Sequence, residues 1–146
     1  MAKKDFLYKL VKDPKILSQR SEEINVVQEK EEIKTIISAL KKTLKDYSNF
    51  SYLAAPQLGF QARVFAIKFS NRDIRVFCNP MITKTEGIHL SREVAPSISE
   101  KEYIVPRSNK IIAMFQNSKG IIEQNIFEGV VAEVFQIGRA SCRERV

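Results

Sequence analysis

Between Glu31 and Tyr47 the apolar residues fall at Ile33, Ile36, Ile37, Leu40, Leu44 and Tyr47. That spacing gathers them on one face of a 3.6-residue period, so the stretch is expected to form an amphipathic helix with polar residues outward. Ser48, Asn49 and Ser51 break the pattern, and Pro56 and Gly59 keep the next stretch from resuming it, which predicts a loop of defined shape. Arg63 to Phe69 and Ile74 to Cys78 are rich in β-branched and aromatic residues around Ser70-Asn71-Arg72-Asp73, a hairpin pattern. Lys110 to Gln116 and Ile121 to Phe127 flank Asn117-Ser118-Lys119-Gly120, where the glycine can supply the positive φ of a tight turn. Phe65, Phe69 and Phe77 lie at strand spacing and are expected in the core.

From Gly129, the residues Val130, Val131, Val134 and Phe135 return to helical spacing, and this second helix is expected to stop after Gln136. Residues 1–28 read as an irregular wrap with a turn at Asp13-Pro14. These elements add up to an α+β domain: a mainly antiparallel sheet packed against an N-terminal amphipathic helix and a truncated C-terminal helix.

The length of 146 residues, with 44% hydrophobic residues, suits one domain whose core needs no metal or disulfide staple. Apolar runs such as Ile111 to Phe115 are far too short to span a membrane. The basic N-terminus lacks the apolar region of a secretory signal, so a cytoplasmic protein and no membrane partner are expected. Cys78 and Cys142 suggest no disulfide framework, and a single histidine, His89, excludes a site built from two imidazoles within the chain. His89 reads as an exposed polar residue on a loop beside Gly87, without a carboxylate neighbour. The net charge of +7 raises RNA or the ribosome surface as a partner. The basic residues are scattered, however, which suits a solvated surface better.

Ile137-Gly-Arg-Ala-Ser-Cys-Arg-Glu-Arg-Val146 carries no apolar periodicity, and Gly138 interrupts at once. The string resembles the conceptual translation of a sequencing adapter. It is therefore set apart from the domain at 1–136 as a non-native tail at 137–146. Without it the chain loses Arg139, Arg143, Arg145 and Glu144, which takes two of the seven net positive charges.

Leu53-Ala54-Ala55-Pro56-Gln57-Leu58-Gly59 follows the amphipathic helix and precedes a strand, and it resembles the first signature of peptide deformylases, G-x-G-L-A-A-P-Q-x-G. The similarity extends to Asp13-Pro14 through Leu17, to Cys78-Asn79-Pro80-Met81-Ile82 and to Gly129 through Gln136. In that family an Fe(II) ion, with Zn or Ni as substitutes, is held by the Cys of E-G-C-L-S and the two His of H-E-x-x-H. The resemblance implies removal of the formyl group from the initiator methionine of nascent proteins by a monomer. The physical logic is that an open metal position lowers the pKa of its water from 15.7 toward ~7 and supplies hydroxide. The motif glutamate then moves the proton.

By the same resemblance Gln57 is the side-chain donor to the developing oxyanion. Ser51, Tyr52, Leu53, Val94 and Pro96 would bind the substrate peptide, with Tyr52 expected to crowd its approach. The second signature aligns with Glu93-Val94-Ala95-Pro96-Ser97, so Ala95, which has no lone pair, stands at the cysteine. Pro96 has no N–H to offer as the second oxyanion donor, a loss that typically costs ~10²–10³ in kcat. Phe50 and Tyr52 replace the two leading glycines of the first signature. Glu93 is expected to form an ion pair.

These departures imply a divergent, apparently 3′-truncated relative that holds no metal as written. Two readings stay open: an inactive piece of a deformylase whose complete form carries the metal, or a non-catalytic relative that binds peptide N-termini.

Overall fold

The computed structural model describes residues 22–93 and 102–142. The expected helix is present as α1, Lys30–Asp46. Ile33, Ile36, Leu40 and Leu44 are buried along its inner face, as the spacing predicted. Its first turn carries Glu31 and Glu32 and its last carries Lys45, each sign matching the helix dipole. The C-terminal carbonyls are capped from the sheet, because Lys68 Nζ donates to the Leu44 carbonyl at 2.6 Å and to the Tyr47 carbonyl at 3.2 Å.

The chain then forms β1 (Tyr52–Ala54), a 3₁₀ turn (Ala55–Leu58), β2 (Val64–Ser70), β3 (Asp73–Glu86), β4 (His89–Glu93), β5 (Tyr103–Arg107), β6 (Lys110–Gln116), β7 (Ile122–Glu128) and α2 (Gly129–Ser141). Five strands make an antiparallel sheet in the order β1-β2-β3-β6-β7, and β4 and β5 pair as a separate ribbon. Both expected hairpins are present. β3 runs on past Cys78 to Glu86, with register irregularities between Cys78 and Met81 and between Ile82 and Lys84. Asn79 sits there with φ +48°, and its side chain holds the Ile24 backbone and Gln116 Oε1. Those partners compensate a conformation that costs a non-glycine residue energy.

β2 shows why a continuous apolar run makes a strand here: it is covered on both faces. Val64 and Ala66 belong to the core that includes Ile36, Leu40 and Leu44 of α1. Phe65 and Ile67 belong to a second core with Ile111, Phe115 and Phe135, the last from α2. The two helices thus lie on opposite faces of one sheet. The second core is aromatic: Phe65 meets Phe135 edge-on at 5.0 Å and Phe77 meets Phe115 at 4.7 Å, geometries that suit ring quadrupoles.

Several positions depart from the sequence reading. Phe69 is not core; it is 40% exposed, and the Arg75 guanidinium lies over its ring at 4.8 Å. It lies near the end of β2, beyond the buried run from Val64 to Ile67. Helix α2 does not stop at Gln136 but continues to Ser141. Its buried seam is Ala132, Phe135 and Gly138, followed by Cys142 just beyond. Small residues make that seam invisible to a search for large apolar side chains. Gly138 is required by closeness, since a Cβ there would lie 2.3 Å from Phe65 Cδ2. Asp13-Pro14 and the rest of 1–21 lie outside the described residues, as do Val94, Ala95, Pro96 and Ser97.

Candidate functional site

The Leu53–Gly59 signature occupies the end of β1 and the 3₁₀ turn that follows. Pro56 lies in the opening of that turn, just after Ala55, and Gly59 ends it at φ +92°, each at a position its backbone favours. Leu53, Ala54, Ala55 and Gln57 are all buried. Gln57 Oε1 accepts the Ala54 N–H at 2.9 Å. This bond fixes the polarity of the carboxamide: the oxygen faces its own backbone, and the NH₂ is the end that donates.

Among the described residues β1 lies at the edge of the sheet and pairs with β2. Ser51 is exposed, and its carbonyl accepts the Lys68 N–H at 2.7 Å. Tyr52 is half-buried, and its hydroxyl is pushed up to about 12, first by burial and then by the Glu93 carboxylate, with Arg107 acting in the opposite sense. β1 and the ribbon are therefore near neighbours, although 41 residues separate Tyr52 from Glu93.

Within the ribbon Arg107 grips Glu93 with two parallel bonds of 2.7 Å each. The side chains are only 17% and 11% exposed, so this is a bidentate pair of the strong kind. The ion pair expected for Glu93 is thus present. It holds the last residue of β4, from which the chain leads directly to Val94.

The structure corrects the reading of His89. It lies on β4, not on a loop, and it has a carboxylate partner in Glu133 of α2. Nothing local in the sequence signals a contact across 44 residues. Gln136 also has a role that the sequence did not suggest. It accepts the Ser108 N–H through Oε1 and donates to the Ser108 carbonyl through Nε2, both at 2.8 Å.

The donor set does not fit a deformylase metal. Among the described residues no three of His, Cys, Asp and Glu gather into a group that could hold an ion. The positions after Gln136 where the family's H-E-x-x-H would continue carry Ile137, Gly138 and Ser141. The Ser141 hydroxyl is occupied, donating to the Ile137 carbonyl at 2.9 Å. Cys78 is buried in the α1 core, and burial pushes its thiol up to about 12, which disfavours the thiolate a metal needs.

A mainly antiparallel sheet with a helix on each face, an edge strand carrying Leu-Ala-Ala-Pro-Gln and an acid-arginine pair beside it define the deformylase class of fold. The sequence profile of the polypeptide deformylase family matches residues 7–137, and the chain belongs to that family. It is 30% identical over 124 residues to the peptide deformylase of Dictyoglomus turgidum, covering 85% of this chain and 78% of that protein. It is 29% identical over 126 residues to that of Dictyoglomus thermophilum, covering 86% of this chain and 79% of that protein. The crystal structure of a peptide deformylase from Legionella pneumophila superposes with a TM-score of 0.85 at 22% identity, over 97% of this chain and 83% of that one. That of Thermotoga maritima gives 0.84 at 24% identity, over 97% and 95%. At these identities the two structures speak for the fold alone.

Proposed function

We propose that the chain derives from a metallohydrolase that removes the N-formyl group from the initiator methionine of nascent proteins, and that as written it does not turn over. The observation that carries this reading is Gln57, buried and held by its own backbone in the family's first signature. Its NH₂ is suited to bind the oxygen of a formyl group as that oxygen gains charge. Ser51, Tyr52 and Leu53 offer the edge along which a peptide backbone adds as a strand, and Val94 and Pro96 are assigned to the same peptide by the family resemblance. Inactivity follows from the donors, since Ala95, Ile137 and Ser141 supply neither thiolate nor imidazole.

The test is release of formate from a formyl-methionyl peptide by the chain supplied with Fe(II), Ni or Zn. The expected result is none above the free metal, and a measured turnover would overturn the proposal of inactivity.

A second reading, a non-catalytic relative that binds peptide N-termini, is favoured by one observation: the parts that face a peptide are built although ligands are lacking. Among the described residues β1 pairs on one edge, with β2, and the Glu93–Arg107 pair is complete. Calorimetry with a formyl-methionyl peptide is expected to give heat that Gln57→Leu removes. Absence of heat would dispose of this reading.

We further infer a cytoplasmic monomer, and assign residues 1–136 to the deformylase-like domain and 137–146 to adapter-derived sequence. Reading the source DNA past the Gln136 codon tests that boundary; a native frame identical to this tail would refute it. The ribosome surface is the weaker partner proposal. Binding that does not weaken with salt would count against it, because phosphate contacts release counterions.

A further inference from the structure

Away from Gln57, four polar side chains from three parts of the chain meet where the ribbon lies on α2. His89 Nδ1 faces Asn109 Oδ1 at 2.5 Å, and His89 Nε2 faces Glu133 Oε2 at 3.2 Å. The Ser91 hydroxyl donates to the other carboxylate oxygen, Glu133 Oε1. Ser91 is 3% exposed, so the inner end of this chain of bonds is sealed from solvent, while His89 sits at the open end.

Asn109 is itself anchored to the body of the fold. Its N–H donates to the Glu86 and Gly87 carbonyls at 3.1 and 3.3 Å, and its carbonyl accepts the Gly129 N–H at 3.0 Å. A Cβ at Gly87 would lie 2.5 Å from Asn109 Nδ2, so the carboxamide is also wedged in place.

The bonding inventory of imidazole decides what this arrangement requires. A neutral ring has one N–H and one bare nitrogen, whereas the cation has two N–H groups. Both nitrogens of His89 face oxygen acceptors, so satisfying both contacts takes the cation. We propose that His89 is the pin of a pH-sensitive clasp: doubly protonated, it seats the β4–β5 ribbon on α2 through Glu133 and on the body through Asn109, and losing one proton releases one of the two ties.

The surrounding charges favour the closed form. Glu133 and Ser91 have been named, and Glu93 lies further along β4. Glu86, Lys110 and Glu128, from the ends of β3, β6 and β7, line the same hollow of about 510 Å³. Arg107 stands opposite His89 in the ribbon register but commits its guanidinium to Glu93. Among the described residues lining the hollow, carboxylates therefore outnumber the cation Lys110. The His89 ring is correspondingly raised above its ordinary value, first by the Asn109 bond and then by the Glu133 bond.

A raised value in the clasped state fixes the sign. The clasp contributes fully below the ordinary histidine value of ~6.5, and its contribution is lost as pH rises through the raised value.

His89 is the only histidine, which makes the test direct: its ring resonances are titrated by NMR in the full chain, alongside hydrogen exchange of the β4 and β5 amides. The midpoint is expected above ~6.5, lowered by Glu133→Gln and raised further by Asn109→Asp. The second variant guards against a merely destabilised protein, since misfolding relaxes a midpoint toward ~6.5 and does not raise it. After correction for intrinsic exchange, ribbon opening should grow with pH. The ratio of opening constants above and below the transition equals ten to the power of the midpoint difference between clasped and released states. His89→Gln should abolish that dependence. A midpoint at or below ~6.5, the two variants moving it in the same direction, or pH-independent ribbon exchange would each overturn the proposal.

Discussion

Replacing Gly138 with alanine sets two energies against each other. Glycine within a helix costs about 1 kcal/mol relative to alanine, so G138A on an open helix face stabilises by that amount. Here the new methyl would lie 2.3, 2.5 and 2.9 Å from Cδ2, Cε2 and Cγ of Phe65. Those atoms belong to the ring and its root, not to a flexible tip. The ring cannot withdraw easily, because Phe77 stands at 5.2 Å and Phe135 at 5.0 Å. Forcing extra volume into such a site costs about 1–3 kcal/mol, and shifting the edge-on pair adds up to about 1 kcal/mol more. The net expectation is a loss of about 1–2 kcal/mol. For a chain of this size that lowers Tm by roughly 3–7 °C.

Calorimetric melts of the parent, G138A, F65L and the double variant would measure the effect and its origin. Leucine at 65 removes ring atoms that the methyl strikes, so the double variant should lie above the sum of the singles by more than about 0.5 kcal/mol. An unchanged or raised Tm for G138A, or strict additivity with F65L, would refute the contact between α2 and β2 at this point.

Other consequences are as direct. Arg107→Met strands the Glu93 carboxylate in a site where it is 11% exposed; a loss of about 3–5 kcal/mol in denaturant unfolding is expected, and the double variant with Glu93→Gln should recover much of it. Lys68→Met leaves the Leu44 and Tyr47 carbonyls without their charged donor, at an expected cost of about 1–2 kcal/mol read as a lower unfolding midpoint. The Tyr52 hydroxyl, raised to about 12, should give an ultraviolet titration step near that value, which moves to lower pH in Glu93→Gln. The stability tied to it is present below the ordinary tyrosine value of ~10 and lost as pH rises from there through about 12. The Cys78 thiol, raised to about 12 and buried, should not react with an alkylating agent at pH 8 in the folded chain; rapid labelling there would contradict its placement.

What was readable from the sequence follows the range of the forces involved. Helix α1 and both hairpins could be read because their signals, a 3.6-residue apolar period and turn residues between β-rich runs, lie within a dozen residues. Gln57 was singled out by the likeness of its signature, and the fold adds a local partner, Ala54, three positions away. The α2 extension escaped notice because Gly138 and Cys142 earn burial by being small beneath Phe65 and near Val64, which no hydrophobicity pattern encodes. Phe69 misled for the opposite reason: strand spacing tells which face a residue occupies, not whether a helix reaches far enough to cover it. His89, Glu133 and Asn109 come together only when β4, α2 and the segment after β5 are in place, so His89 read alone looked like ordinary surface.

The Gln136 carboxamide imitates a peptide group. By exchanging two bonds with Ser108, it lets a helix join a loop with the two-point geometry that one strand uses on another. Apolar packing alone allows a helix to roll, because methyls and rings slide past one another at little cost. A two-point tooth does not, so α2 is keyed in both rotation and height at Gln136. Whatever residues occupy the next turn inherit their azimuth from that key, which makes Gln136 the index mark from which the direction of every later side chain on the helix is counted.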